Sequence, residues 1–399
     1  MQTTAYKAFK FRLYPNTEQR VLLAKTFGCV RFIYNHMLSD KIEHYEKTGK
    51  MLRCWPSQYK EQFPWLREVD SLALVGAYNS LESAYRNFFR DKSIGFPKYK
   101  SKHNGRQSYT TNQVNGNIAL NQEKLKLPKL GRVKIRQHRM IPEGWRLKSV
   151  TVTHAPSGRY FASLLYEYDA EIIPVEPGAI IGLDFSMSEL YVDSNGENPA
   201  YPRPYRMAQE RLAKGQRKLA RMKRGGSNYR KQKEKVARLH EHIASQRKDF
   251  LHKQSRQIAN ACDAVCIEDL NMKGMAQALH FGKSVSDNGW GAFTWMLGYK
   301  LVDQGKYLVK ISRWFPSSKA CSACGAVKNE MPLSERIYRC SCGATIDRDL
   351  NAAINIRDAG ARLLTDTITN RGTHGDSLLN ILPLGGSSQE APTSYTFRC

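Results

Sequence analysis

The chain predicts a mixed α/β domain carrying an inserted zinc ribbon, preceded by a small β-barrel with a helical insert. Three observations point there. From Ala179 onward, strands of buried type alternate with helical stretches, and acidic residues stand at strand ends; that order is the mark of an α/β domain. Earlier, short strands that alternate apolar with basic residues lie at 6–14 and again after residue 107, as half-buried β-structure does. Near the C-terminal end, two close cysteine pairs stand immediately before an acidic, helix-opening stretch.

Composition bounds the function. A chain of 399 residues suits two or three domains. Lys and Arg number 62 against 36 Asp and Glu, a formal net charge of +26. Such an excess repels itself unless a polyanion neutralises it. No stretch approaches the roughly 18 apolar residues of a membrane span, which argues against a membrane partner. The N-terminus, MQTTAYKAFKFRLYP, lacks the apolar core of a signal peptide. Four of the nine cysteines fall in the close pairs, whereas Cys29, Cys54, Cys262, Cys266 and Cys399 are scattered. A reducing compartment, the cytoplasm, and no disulfide framework are expected.

The elements follow in order. In residues 6–14, Phe9, Phe11 and Leu13 face one way while Lys10, Arg12 and Tyr14 face the other. Pro15 stops this strand. Asn16 then caps a helix, with Gln19 placed for a capping box. That helix turns Leu22, Phe27, Val30, Tyr34 and Leu38 inward. Arg31, Asn35 and His36 lie on another face, fit either for nucleic acid or for solvent. Pro56 and Pro64 break the region 47–69. Asp70 caps a second helix whose Leu74, Tyr78, Leu81, Tyr85 and Phe88 recur at helical spacing. Residues 91–107 read as a basic loop. The segments 124–127, 132–136, 149–154 and 159–168 read as strands, the last two joined by a turn at Pro156-Ser157-Gly158. With the first strand they predict one barrel, the helices of 16–90 inserted between. A small basic barrel is a common nucleic-acid platform.

Residues 170–178 read as a domain boundary. Ala179–Leu183 predicts a buried strand ending in Asp184, and Glu189–Asp193 a second, closed by a turn at Ser194-Asn195-Gly196. Between 205 and 262, two helices flank Gly225-Gly226-Ser227-Asn228, with a sparse seam of Leu212, Leu219, Val236, Leu239 and Ile243. Arg217, Arg221, Lys223, Arg224, Arg230, Lys231, Lys233 and Lys235 cluster at the tip with few acids to neutralise them. Phosphate contact is the expected role. Residues 263–270 form a strand that ends near Glu268. A helix over 287–304, a strand over 307–314 and a helix over about 351–365 follow. The Gly/Ser/Thr-rich tail is expected to be mobile and without a catalytic part.

Two metal chemistries sit side by side. Cys321 and Cys324 form one pair, Cys340 and Cys342 the other, with fifteen residues between; four soft thiolates in two pairs suit one structural Zn²⁺. Asp184, Glu268 and an acid opening the last helix, Asp347 or Asp349, are hard oxygen donors of the kind Mg²⁺ or Mn²⁺ prefers. Three packed carboxylates repel, so they call for cations, and two ions would suffice for phosphodiester hydrolysis.

The chain resembles the TnpB family of insertion-sequence-encoded, RNA-guided nucleases related to type V CRISPR effectors. The resemblance rests on FRLYPN (11–16), FIYNHML (32–38), FPKYK (96–100), KLPKLG (126–131), GLDFSM (182–187), IEDLNMKGM (267–275), SDNGWG (286–291), PSSKACSACG (316–325) and DRDLNAAINI (347–356). It implies an RNase H-like (RuvC) nuclease domain over 173–314 and 346–368 with Asp184, Glu268 and Asp349 as catalytic acids. It implies a zinc ribbon over 315–345 and a mobile tail over 369–399. It implies a wedge-type barrel over 1–15 and 105–172, with a helical recognition insert over 16–104. It further implies a bound guide ωRNA, a double-stranded DNA target beside a short target-adjacent motif, and a bacterial cytoplasmic location, on the nucleoid when DNA is bound. Motif reading would fall to Tyr59, the helix start Ser71–Val75 and the loop Thr110–Asn115, where the amides of Asn112, Gln113 and Asn115 suit adenine edges. An A/T-rich motif is expected. Two departures stand out: one residue, not two, separates Cys340 from Cys342, and Phe185-Ser186 follows Asp184. A nuclease-inactive, RNA-guided DNA-binding repressor and a transposase acting directly on transposon ends are the alternatives. The three acids favour the nuclease over the first, the basic hairpin and the resemblance over the second.

Overall fold

The computed structural model describes residues 2–91, 93–102, 107–272, 274–275, 288–332 and 334–369. The chain divides into two compact units, Thr4–Asp169 and Ala170 onward, the latter including the first three residues.

The first unit is a seven-stranded sheet with helices packed on it. Its strands are β1 (Gln2–Tyr14), β2 (Gln107–Asn112), β3 (Ala119–Asn121), β4 (Lys124–Leu127), β5 (Gly131–Arg136), β6 (Arg146–His154) and β7 (Tyr160–Glu171), in the order β2-β6-β7-β1-β5-β4-β3. The N-terminal strand thus joins the later group in one sheet. Phe9, Phe11 and Leu13 are buried, and Lys10 and Tyr14 are exposed, as the alternation requires.

Helices α1 (Thr17–Thr48), α2 (Tyr59–Gln62) and α3 (Ser71–Arg90) occupy the insertion. Asn16 accepts from the Gln19 N–H at 2.8 Å while the Gln19 side chain accepts from the Asn16 N–H at 3.1 Å, a complete capping box. Such a cap contributes about 1 kcal/mol. Asp70 caps α3 through the Leu72 N–H at 2.9 Å. Phe27, Ile33, Met37, Leu74 and Leu81 share one core with Val133, Val150 and Leu164 of the sheet. Leu22 is only partly buried, as are Tyr78 and Phe88. At Gly76 a Cβ would lie 2.7 Å from the Thr110 carbonyl oxygen, so α3 crosses β2 where only glycine fits.

The second unit has a four-stranded sheet, β11-β10-β8-β9, made of β8 (Ile180–Ser186), β9 (Leu190–Asp193), β10 (Ala264–Glu268) and β11 (Tyr307–Ile311). β8, β10 and β11 are parallel and β9 is antiparallel to β8. Strand alternation loads both faces. Val265 and Ile267 pack with Leu251, Ile258, Phe293 and Leu297, from α5 (Ser227–Ala261) and α6 (Trp290–Val302). Ala264 and Cys266 pack with Ile356 and Leu364 of α7 (Arg348–Thr369). The sheet is therefore sandwiched between helices, an α/β arrangement. α4 (Pro204–Ala220) and α5 form a hairpin around Leu212, Val236 and Ile243. A two-stranded ribbon, β12 (Ile337–Arg339) and β13 (Thr345–Asp347), precedes α7.

Several boundaries differ from the sequence reading. β8 does not end at Asp184 but runs on to Ser186, because β9 pairs with it through Ser186–Leu190. β11 stops at Ile311, where Ser312 opens a turn. α7 starts at Arg348, ahead of Asn351. The expected helix start at Asp287 and the tail from residue 370 lie outside the described residues. No described helix is long and apolar enough to cross a membrane.

Candidate active site and zinc site

Parallel pairing sets the first two acids side by side. Leu183 of β8 stands opposite Ile267 of β10, so Asp184 and Glu268 follow at the next position of adjacent strands. The third acid arrives on α7. A Cβ at Gly182 would collide with the Ala353 carbonyl, and one at Gly360 with the Cys266 side chain. These two glycines let α7 lie directly on the sheet, which brings Asp349 in its first turn toward Asp184.

The electrostatics register that convergence. Burial, then the charges of Glu268 and Asp349, push the Asp184 carboxyl well above the usual range, against the opposing pull of Arg348 and the Phe185 N–H. Burial likewise raises Glu268, while a hydrogen bond from Ser317 Oγ to Glu268 Oε1 holds it down. Arg348 donates to Asp349 Oδ1 from Nε at 3.3 Å and from Nη2 at 3.2 Å. Asp347 has a different job: its Oδ1 accepts from the N–H groups of Asp349 at 2.9 Å and Leu350 at 3.1 Å. It is the N-cap of α7. The oxygens of Asp184, Glu268 and Asp349 do not all close within 4.8 Å, as the cysteine ligands do. Their donor set nevertheless fits a hard divalent cation, since the ionised form of Asp184 needs a neutralising charge.

The cysteines are fully assembled. Among the described residues, Cys321, Cys324, Cys340 and Cys342 are the group of potential ligands whose atoms all lie within 4.8 Å of one another. Cys321 and Cys342 sulfurs are 3.8 Å apart, Cys324 and Cys340 sulfurs 3.6 Å. A tetrahedron with Zn–S bonds of about 2.3 Å has edges of about 3.8 Å, so the set fits zinc. Each pair sits on a tight turn. The Gly325 N–H donates to the Cys321 carbonyl at 2.8 Å, and the Gly343 N–H to the Cys340 carbonyl at 3.1 Å. Gly325 and Gly343 have φ of +79° and +94°, which side chains disfavour. The shorter second pair still closes the site. Tyr338 supplies the ribbon's small core: it is fully buried, and its hydroxyl donates to the Lys319 carbonyl at 2.9 Å.

Sequence reasoning missed the residues that bind the two sites together. Asn351 donates to the Ala320 carbonyl at 2.7 Å and accepts from the Ser322 N–H at 2.9 Å. Asn355 donates to the carbonyls of Ser317 at 2.7 Å and Ala320 at 2.8 Å. Both asparagines are buried. Their i, i+4 spacing among Ala352, Ala353 and Ile356 was the available signal: polar residues on an apolar helix face need buried partners. Ser317 completes the link through Glu268.

The candidate nucleic-acid residues separate into two groups. Arg217, Arg221, Lys223, Arg224, Arg230, Lys231, Lys233 and Lys235 lie around the α4–α5 turn, on the outer side of the hairpin. Among the described residues none of them has an acidic partner within ion-pair distance. In the first unit, Tyr59 is buried and donates to Asp40 Oδ2 at 2.6 Å, so its side chain belongs to the helical core. Ser71 is exposed and accepts from Lys60 Nζ at 2.8 Å. Thr110–Asn112 is strand rather than loop, and Thr111 is fully buried. Asn112, Gln113 and Asn115 are exposed, Asn115 in a left-handed turn at φ +48°. Asn35 is bound to the backbone of Lys100 in both directions, at 3.0 and 2.7 Å.

Comparison with known proteins agrees with this architecture. A family model described as "Probable transposase" matches residues 163–279, and one described as "Cas12f1-like, TNB domain" matches 290–356. A "Helix-turn-helix domain" model matches residues 1–50, although β1 and one continuous helix occupy that stretch. A Cas12f1 chain, solved by cryo-EM in a complex with sgRNA and target DNA, shares the fold at a TM-score of 0.57 and 15% identity, over 89% of this chain and 99% of that one. An Escherichia coli K12 protein named "Putative RNA-guided DNA endonuclease InsQ" is 30% identical over 90% of this chain and 93% of its own length. A Streptomyces pristinaespiralis protein, "Putative RNA-guided DNA endonuclease", is 37% identical over 90% of both chains. At that identity and coverage, the chain belongs to the TnpB family.

Proposed function

We propose that the chain is an RNA-guided endonuclease of a transposable element that cuts double-stranded DNA by two-metal-ion hydrolysis beside a target-adjacent motif. The observation that carries this reading is the convergence of Asp184, Glu268 and Asp349 from β8, β10 and α7, registered in the raised Asp184 carboxyl. Acids arranged to hold cations, in a chain of net charge +26, fit a phosphodiester substrate.

Asp184, Glu268 and Asp349 would together hold two Mg²⁺ or Mn²⁺ ions. Bound there, the ions supply Lewis acidity toward water and the scissile phosphate. Ser317 holds the Glu268 carboxylate in place. The Asp347 cap fixes the turn that presents Asp349. The basic α4–α5 hairpin would contact the phosphates of guide RNA or heteroduplex. The seven-stranded sheet would serve as the wedge-type barrel, and α1–α3 as the recognition insert, with Ser71, Asn112, Gln113 and Asn115 at the motif. Four thiolates would hold one structural Zn²⁺.

The test is purification with and without co-expressed transposon-end RNA, followed by plasmid DNA carrying a guide-matched site and randomised flanks. Guide-dependent, divalent-ion-dependent cutting with a depleted A/T-rich flank is expected. Cutting that ignores the guide would overturn the reading. Equal cutting of all flanks would remove the motif from it.

A further inference from the structure

A tight loop beside Glu268 presents a bare indole. The loop begins at Ile311, which pairs with Glu268 and accepts from the Asp269 N–H at 3.1 Å. It ends at Ser317, whose hydroxyl donates to Glu268 and whose carbonyl accepts from Asn355 at 2.7 Å. Both ends are therefore fixed on the same acid. Between them, the Phe315 N–H donates to the Ser312 carbonyl at 3.0 Å, and the Trp314 N–H to Ser312 Oγ at 3.3 Å. Arg313 is tied to Asp269 at 2.9 Å. Trp314 stands at the tip, 85% exposed.

The other tryptophans are all engaged. Trp55 meets Tyr78, Trp65 meets Phe32, Trp145 stacks on Tyr168, Trp290 meets Phe185, and Trp295 meets Tyr299. Among the described tryptophans, Trp314 alone has no ring or cation partner. An unpartnered indole on a loop tied at both ends offers a flat apolar face that can be covered at little ordering cost. Lys310 and Arg313 precede it in the chain and are both paired with Asp269, and the whole chain carries a net charge of +26. A polyanion with flat faces is a nucleic acid, and an exposed base face requires an unpaired strand.

We propose that Trp314 is a stacking platform for an unpaired base of the DNA strand entering the acidic site. This rests on the nuclease reading above. The indole fixes one base, and the loop, anchored on Glu268 at both ends, transmits that position to the scissile phosphate. Stacking tolerates every base, so the platform serves any guide sequence.

The test uses full-length protein assembled with guide RNA, as wild type, Trp314→Ala and Trp314→Phe. Target DNA carries 2-aminopurine at successive positions around the cut on each strand. Wild type is expected to quench the probe at one or two positions. Trp314→Ala is expected to lose that quench and about tenfold in single-turnover cleavage, the equivalent of about 1.4 kcal/mol. Trp314→Phe, which keeps an aromatic face, should retain both to within about threefold. Guide-RNA binding and zinc content should be equal in all three. Unchanged quench and rate in Trp314→Ala would overturn the proposal, as would a change in complex mass that assigned the indole to a contact between copies. Failure of the wild type to cut at all would instead strike the nuclease reading.

Discussion

The two candidate metal centres differ in how they are built. The cysteine set draws its ligands from 321–342, on two tight turns, the second at the tip of the β12–β13 hairpin, and its sulfurs already stand at tetrahedral spacing. The carboxylate set draws from 184, 268 and 349, on two strands and a helix, and its members raise the proton affinity of Asp184. A site made by local backbone geometry is preorganised. A site made by tertiary packing depends on how closely the elements approach, and here it holds mutual repulsion that a proton or a cation relieves.

The largest expected effect breaks the acidic centre outright. Asp184→Ala, Glu268→Ala and Asp349→Ala should each lower guided cleavage by about 10³-fold or more, about 4 kcal/mol of barrier, with guide and target binding kept. Asp347→Ala should keep most activity, because that residue caps α7. Near-normal cutting by Asp349→Ala with loss in Asp347→Ala would reverse the assignment.

Removing the zinc tests whether the centres are independent. Metal analysis should find about one zinc per chain. Cys324→Ser or a chelator should release it and melt the ribbon, since such small modules fold on their metal. Because Ser317, Asn351 and Asn355 join ribbon to acids, cleavage should fall too. Full-rate cutting by zinc-free protein would show the link to be idle.

Gly182→Ala attacks the acidic centre through α7. The new methyl would strike the Ala353 carbonyl and lift α7. A shift of about 1 Å costs about 10²-fold in rate, while zinc content should stay unchanged. Activity within about twofold of wild type would mean that α7 adjusts without moving Asp349.

Neutralising Arg217, Arg221, Lys223 and Arg224 leaves both centres intact. Nucleic-acid binding should weaken for every guide alike. The salt dependence should flatten by about 0.7–0.9 in log–log slope for each phosphate that is no longer neutralised. An unaltered slope measured by filter binding would mark the hairpin as solvated surface.

The smallest effect reads the repulsion directly. A carboxyl raised in the folded state contributes stability below its unfolded pKa and loses it as pH rises through the folded one. In chelator, Asp184→Asn should therefore melt a few degrees higher than wild type near neutral pH and lose that advantage in acid. Divalent ions should stabilise wild type more than the variant. Equal melting of the two at all pH values would show that Asp184 carries no such penalty.

Sequence by itself determined the parts fixed by local chemistry. The capping box at Asn16 and Gln19, the cap at Asp70, the alternation of Phe9, Phe11 and Leu13, and the two cysteine turns all depend on neighbours a few residues away. Their physics is written within one turn of chain. Only the tertiary structure decided that Asp347 caps while Asp349 faces Asp184, that Tyr59 is core, and that Asn351, Asn355 and Ser317 bind the ribbon to the acids. Those outcomes turn on which distant backbone stands opposite each side chain. Close approaches such as Gly182 against α7 set that pairing, and one-dimensional patterning does not encode it.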